Sequence, residues 1–218
     1  MEEQTITTRV KKYKNKNKIL LIIEDDEAHN ESNNITDEDV FWEKYNEKNK
    51  PTQIDRYNIH NSPESIKKFI RIGGGNRMGT TLEDFARSKF SILEKRSKGK
   101  NETGYDHKIH LASRETIYVE QKSSGHWSDD DFKWQHVEIK HKWNILLLCG
   151  IGYEEVKFWL MNRNTFVKLI EDKKITNQGN KSNESSEGMW FNYSDVKDSL
   201  TRVRNNSEII QFITNTFT

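Results

Sequence analysis

Asp106, Glu120 and Lys122 are the residues best placed for chemistry in this chain of 218 residues. Tyr105–Leu111 alternates in polarity, Ala112–Glu115 reads as a turn, and Thr116–Lys122 is rich in β-branched and aromatic residues, so the sequence predicts a hairpin. Side chains two apart on a strand share a face; Glu120 and Lys122 therefore project together, and strand pairing brings Asp106 alongside them. Two carboxylates and an ammonium then converge. Carboxylate oxygens are hard ligands of the kind Mg²⁺ takes in small number, leaving the rest of its octahedron to water and substrate phosphate. A lysine beside them can orient or deprotonate an attacking water. Together these groups are equipment for metal-assisted phosphodiester hydrolysis.

The elements that must position these residues follow from periodicity. Thr80 to Leu93 predicts an amphipathic helix with Leu82, Phe85, Ala86, Phe90 and Leu93 inward. Thr80 and Glu83 have capping-box spacing, so Glu83 has a local structural reading as well as a functional one. After the hairpin, Ser123–Trp127 reads as a loop. Ser128 reads as an N-cap with Asp129, Asp130 and Asp131 in the first turn, predicting a helix through Gln135 to about His141. Asn144–Ile151 is the most apolar strand candidate, and Gly152–Glu155 turns it into a second strand, Val156–Met161.

Asp106 followed by Glu120-Gln121-Lys122 resembles the D…(D/E)-x-K signature of the PD-(D/E)xK nuclease superfamily, which includes many type II restriction endonucleases and several repair and recombination nucleases. Tyr105 stands where the superfamily's name has proline, a position that varies there. The order helix, hairpin, helix, buried strand is also similar to that of the superfamily's core, and the resemblance covers about residues 80–161. It implies an α/β fold with a mixed central β-sheet flanked by helices in a restriction-endonuclease-like core. The expected domain is single, 1–218, with 1–79 and 162–218 as embellishments. The implied activity is Mg²⁺-dependent cleavage of double-stranded DNA, most like that of a type II restriction endonuclease. Asp106, Glu120, Lys122 and Gln135 would be catalytic, and Asp106, Glu120 and Glu83 would hold the metal. A homodimer is expected, because symmetric cutting of a duplex calls for two sites. The alternatives are a structure-selective repair or recombination nuclease and a non-catalytic DNA-binding protein whose hairpin charges are surface ion pairs.

A second triplet, Glu138-Ile139-Lys140, competes with the first. Were residues 134–140 a strand, Glu138 and Lys140 would take the catalytic places, with an aspartate from 129–131. The more strand-like flanks of Glu120 and Lys122 and the Ser128 cap favour the first triplet. Phosphate contacts are expected from Arg71 and Arg77 around Gly73-Gly74-Gly75, from Lys98 and Lys100 in the basic connection into the hairpin, and from Lys140.

Toward the N-terminus, the basic run Arg9–Lys18 reads as a solvated arm, Ile19–Ile23 as a buried strand, Glu24–Asp39 as an acidic loop, 39–45 as a short helix and Ser62–Ile70 as a capped helix. Toward the C-terminus, Asn164 is read as capping a helix to about Asp172, 173–188 as a loop and 189–193 as a strand. Two helices close the chain, 195–204 and 207–217. The Ile209, Ile210, Phe212 and Ile213 stripe on the last is read as core or dimer face.

Composition bounds these readings. A net charge of +1 does not advertise a nucleic-acid binder, but phosphate contacts need only a local cationic face. A single cysteine, Cys149, rules out an intramolecular disulfide and a cysteine-rich zinc site, and suits a reducing, cytoplasmic setting. No apolar run approaches the ~20 residues a membrane span needs. Without an H-x-H or H-E-x-x-H pattern, a zinc hydrolase is a poor reading.

Overall fold

A computed structural model describes residues 9–15, 18–24, 53–72, 74–97, 104–113, 115–127, 131–177 and 188–217. The chain divides into two compact units, residues 1–50 and 51–218. In the first, β1 (Arg9–Asn15) pairs antiparallel with β2 (Lys18–Glu24), Arg9 opposite Glu24 and Asn15 opposite Lys18. The basic run expected to be an arm is thus a strand over Arg9–Asn15, and the strand expected at Ile19–Ile23 lies within β2. The helix expected at 39–45 falls outside the described residues.

The second unit runs α1 (Gln53–Arg56), α2 (Glu64–Arg71), α3 (Gly75–Lys89), β3 (Glu94–Lys95), β4 (His107–His110), β5 (Thr116–Trp127), β6 (Asp131–Val137), β7 (Ile145–Ile151) and β8 (Val156–Asn162). It continues with α4 (Arg163–Glu171), β9 (Thr176–Asn177), β10 (Met189–Asn192), α5 (Tyr193–Val196), β11 (Thr201–Val203) and α6 (Asn206–Phe217). Nine strands among the described residues form one mixed sheet in the order β11-β8-β7-β5-β6-β10-β9, with β4 also on β5 and β3 on β4. The β5–β7 pair is parallel; the others are antiparallel. The class is α/β, with helices on both faces of the sheet. No described helix is long and apolar enough to cross a membrane.

β7 explains the layering. A strand covered on both faces reads as a continuous apolar run, and every residue of β7 is buried. Ile145, Leu147, Cys149 and Ile151 face one layer with Leu82 and Ala86 of α3, Phe90 just after it, and Ile209 and Ile213 of α6. Leu146 and Leu148 face the other, an aromatic layer of Trp134, Trp143, Trp159, Phe166 and Phe191 closed by α4. Burial pushes the Cys149 thiol above its ordinary range, so it packs as a small apolar group.

Several expected elements are corrected. Of the helix expected over 128–141, residues 131–137 form the strand β6, followed by a turn. Phe132 and Trp134 bury into the aromatic layer while Lys133 and Gln135 face away, a period of two that long-range pairing with β10 enforces. Asp131 does not start a helix; its carboxylate accepts hydrogen bonds from Ser194 N at 2.9 Å and Ser194 Oγ at 2.8 Å. Ser123–Trp127 is no loop but the second half of β5. α3 begins at Gly75, with Gly74 at positive φ before it, so Thr80 and Glu83 lie in its interior and form no capping box; it ends at Lys89, short of Leu93. Asn162, not Asn164, caps α4, its Oδ1 accepting from Thr165 N at 2.8 Å. The helix expected over 195–204 is only the single turn α5, a 3-10 turn and then β11.

β6 carries a bulge. Val137 pairs with Met189 but Trp134 pairs with Phe191, so Gln135 and His136 together oppose Trp190, and His136 takes φ +59°. Gly188 packs against it at φ +77°, where a Cβ would lie 2.9 Å from the His136 Cα. Both the dihedral and the clash with backbone require glycine. Gly188→Ala is therefore expected to destabilise the fold by about 1–3 kcal/mol, read from the denaturant midpoint.

Candidate active site

The long strand β5 has one edge shared by two neighbours. β4 pairs with it from Thr116 to Val119, and β6 pairs with it only at His126 and Trp127. Between them the two partners fork apart, and a cleft of about 700 Å³ opens along Gln121–Gly125. Its opposite wall is the first half of α3, from Gly75 to Glu83. Gln135 and His136 both line the cleft because the bulge places two successive side chains on it.

Asp106 closes the crotch of the fork. Its backbone N–H donates to Val119 O at 2.9 Å and its Oδ2 accepts from Gln121 N at 2.9 Å, so the carboxylate sits in the hydrogen-bonding plane of the sheet. Glu120 projects from β5 toward the aromatic layer, opposite Leu146, and is 5% exposed. Lys122 Nζ reaches back to donate to Glu120 Oε1 at 2.6 Å and also lines the cleft. Burial, and after it the charge of Asp106, push the Glu120 carboxyl above its usual range; the Lys122 ammonium pulls the other way. Glu83, on the α3 wall, is pushed up to about 7, first by burial and then by the same Asp106 charge. Asp106 thus lies within electrostatic reach of two carboxyls from different elements.

The Asp106 charge raises both Glu120 and Glu83, and carboxyl groups so placed fit a divalent cation such as Mg²⁺, which needs only one or two carboxylates from the protein. Among the described residues no three His, Cys, Asp or Glu side chains close into a metal-holding group. Asp106 with Glu120 is accordingly the pair that would hold Mg²⁺, with Glu83 across the fork.

The remaining expected residues divide. Gln135 lies in the cleft with Lys122 and Glu83, though it arrives there on a strand rather than a helix. Arg77 is exposed in the first turn of α3. Arg71 is exposed and held by Glu64 at 2.8 Å. Lys98 and Lys100 lie outside the described residues. Lys140 is exposed in the turn after β6, its Nζ 2.8 Å from Glu138 Oε2. The Lys140 bond, with the charges of His141, Lys140 and Lys122, holds the Glu138 carboxyl below its usual range. The competing triplet therefore lies just past a strand, not within it, and of its candidate aspartates 129–131 the described one, Asp131, is bonded to Ser194.

His141, expected from the sequence to face the cleft with Gln135 and Lys140, meets at this site with Arg163 and His107, which sequence reasoning did not single out. His141 Nε2 lies 3.3 Å from Glu138 Oε2, and a protonated ring there would add a charge felt by Glu120. Arg163 holds the loop that carries His141, donating to His141 O at 2.8 Å and Trp143 O at 3.1 Å. His107, adjacent to Asp106, is fully buried, and burial pushes its imidazole down to about 4. A histidine in register with Ile109 on an alternating strand was the signal for it. No family model matches the chain, and neither a curated protein nor a solved structure matches it.

Proposed function

We propose that this protein is a Mg²⁺-dependent endodeoxyribonuclease of the PD-(D/E)xK kind, most like a type II restriction endonuclease, that hydrolyses phosphodiester bonds of double-stranded DNA. The observation that carries the reading is the placement of Glu120: a carboxyl raised by burial and then by Asp106, and bonded by Lys122, which itself lines the open cleft. Asp106 and Glu120 would hold the ion, which when bound supplies Lewis-acid polarisation of the scissile phosphate. Lys122 Nζ, on swinging from Glu120 Oε1, would donate a hydrogen bond to the attacking water or the charged phosphate oxygen. Gln135, from the opposite side of the cleft, would fix the substrate's orientation with an amide that both donates and accepts. Arg77 and Lys140 would contact phosphates at the periphery.

One departure from the resembled core is that β6 stands between the hairpin and β7 where a helix is expected. Glu120 and Lys122 nevertheless lie on β5, which pairs in parallel with the buried β7. A two-fold homodimer would set two clefts on one palindromic duplex.

Incubation with plasmid DNA and Mg²⁺ is expected to produce discrete fragments. Excess EDTA is expected to stop cutting, and Ca²⁺ to support DNA binding without efficient hydrolysis. Undiminished cleavage in EDTA would remove the metal from the mechanism, and a smear in place of bands would favour a structure-selective nuclease.

A further inference from the structure

Arg87, His107 and Gln121 form a buried hydrogen-bonded chain between three elements, and none of the roles assigned above uses it. His107 Nδ1 lies 3.0 Å from Arg87 Nη1, and His107 Nε2 lies 2.9 Å from Gln121 Oε1. A guanidinium has only donors. Nδ1 must therefore offer its lone pair, since a proton there would set N–H against N–H. The ring's single proton is left on Nε2, from which it is donated to Gln121 Oε1. That bond fixes which end of the Gln121 amide faces inward: Oε1 toward His107, Nε2 donating to Ser123 Oγ at 3.3 Å, and both Gln121 and Ser123 line the cleft.

The same residue anchors the carboxylates. The backbone N–H of Gln121 donates to Asp106 Oδ2 at 2.9 Å. At the other end of the chain, Arg87 is ion-paired with Asp84, and its Nη1 lies 3.9 Å from Glu83 Oε2. The chain thus joins α3, β4 and β5 where Glu83 and Asp106 approach one another. A histidine that merely satisfied its own burial would need two hydrogen bonds and no connection to the cleft; this one has Glu83's neighbour on one nitrogen and Asp106's donor residue on the other.

We propose that His107, locked by Arg87 with its proton on Nε2, is a positioning residue that fixes Gln121 and, through the Gln121 backbone N–H, the carboxylate of Asp106. Its catalytic consequence rests on the nuclease reading; the lock itself does not. Groups that orient metal-binding side chains from behind typically change activity about 10–100-fold when lost. Glutamine can replace histidine here in kind, with a carbonyl oxygen to accept from Arg87 and an N–H to donate to Gln121, whereas leucine can do neither.

Long-range ¹⁵N–¹H spectra of the whole protein near neutral pH test the lock directly. A protonated Nε2 and an unprotonated Nδ1 are expected for His107; the opposite tautomer or a doubly protonated ring overturns the proposal. Single-turnover cleavage and DNA affinity then test the consequence. His107→Leu is expected to cut about 10–100-fold more slowly at unchanged DNA affinity, and His107→Gln to stay near the wild-type rate. If His107→Leu does not fold, Arg87→Met serves in its place, releasing the tautomer in the spectrum and slowing cleavage together. Wild-type rates in His107→Leu, or in Arg87→Met with the tautomer released, overturn the positioning role. A wild-type protein that cuts no DNA overturns the nuclease reading instead, and the spectrum still decides the lock.

Discussion

Lys122→Ala and Glu120→Gln are each expected to lower single-turnover DNA cleavage by about 10²–10³-fold or more, the scale on which removal of one preorganised charge-stabilising group acts. DNA affinity should hold in Lys122→Ala, because binding is spread over many phosphate contacts away from the cleft. Glu120→Gln replaces a carboxylate with a neutral amide that cannot balance a divalent ion. Lys140→Ala and Glu138→Gln provide the control within the same protein. Lys140 is exposed beside Glu138 and can at most meet a phosphate, so its loss should weaken binding and reduce the salt dependence by about one unit of slope, with the rate of the bound complex preserved. All four variants should be compared by cleavage and by affinity, with folding checked by circular dichroism. Active 120 and 122 variants alongside dead 138 and 140 variants would transfer the chemistry to the turn after β6 and refute the site described above.

The second large effect is on stability, and its sign is opposite to its effect on activity. Glu83 is raised from 4.5 to about 7 in the folded chain, first by burial and then by Asp106. Between those two values the folded state binds more protons than the unfolded state, so this carboxyl's contribution to stability falls as pH rises through that window. Above it the folded protein carries a half-buried carboxylate beside another. Glu83→Gln copies the protonated form and removes that cost. With the side chain 27% exposed, solvent screening reduces the effect, and a gain of about 1–2 kcal/mol near pH 8 is expected, with none near pH 4. Urea denaturation of both proteins in EDTA at the two pH values measures it. DNA cleavage should fall in the same variant if Glu83 assists the ion. A Glu83→Gln protein no more stable than wild type near pH 8 would mean that the carboxyl is already relieved by Arg87, 3.9 Å away.

What the sequence reveals of this fold is decided by how local each signal is. The hairpin that carries Asp106, Glu120 and Lys122 is readable because alternation and β-branched residues act within a few positions. β7 is readable because an unbroken apolar run of strand length needs cover on both faces. β6 is not, because Asp129–Asp131 after Ser128 imitates a helix start, while the pairing of Trp134 with Phe191 that decides the matter lies more than fifty residues away. The start of α3 is hidden in the same way: Thr80 and Glu83 have capping spacing inside a helix that already began at Gly75. Gln135 reaches the cleft from a strand and not from the expected helix, though both readings place it after the hairpin and facing the cleft. The Arg87–His107–Gln121 chain has no sequence signal as a unit, because its three members are brought together only by packing of α3 on the sheet.

The bulge at Gln135 and His136 makes the cleft unusually sensitive to chain length. A residue inserted in or deleted from a strand reverses the facing of everything beyond it, because side chains alternate with a period of two. Here the reversal is already stored: Trp134 and Val137 are both buried although three positions apart, which only an odd residue between them permits. Deleting His136 would restore simple alternation from Phe132 onward. Val137 would then face inward in phase with Trp134 and opposite Met189 without a bulge, leaving Gln135 as the one cleft-facing side chain between them. Diversification of what this cleft accepts is thus open to a single-codon loss or gain at positions 135–136, a change in the number of lining side chains that no point substitution in the same strand can imitate.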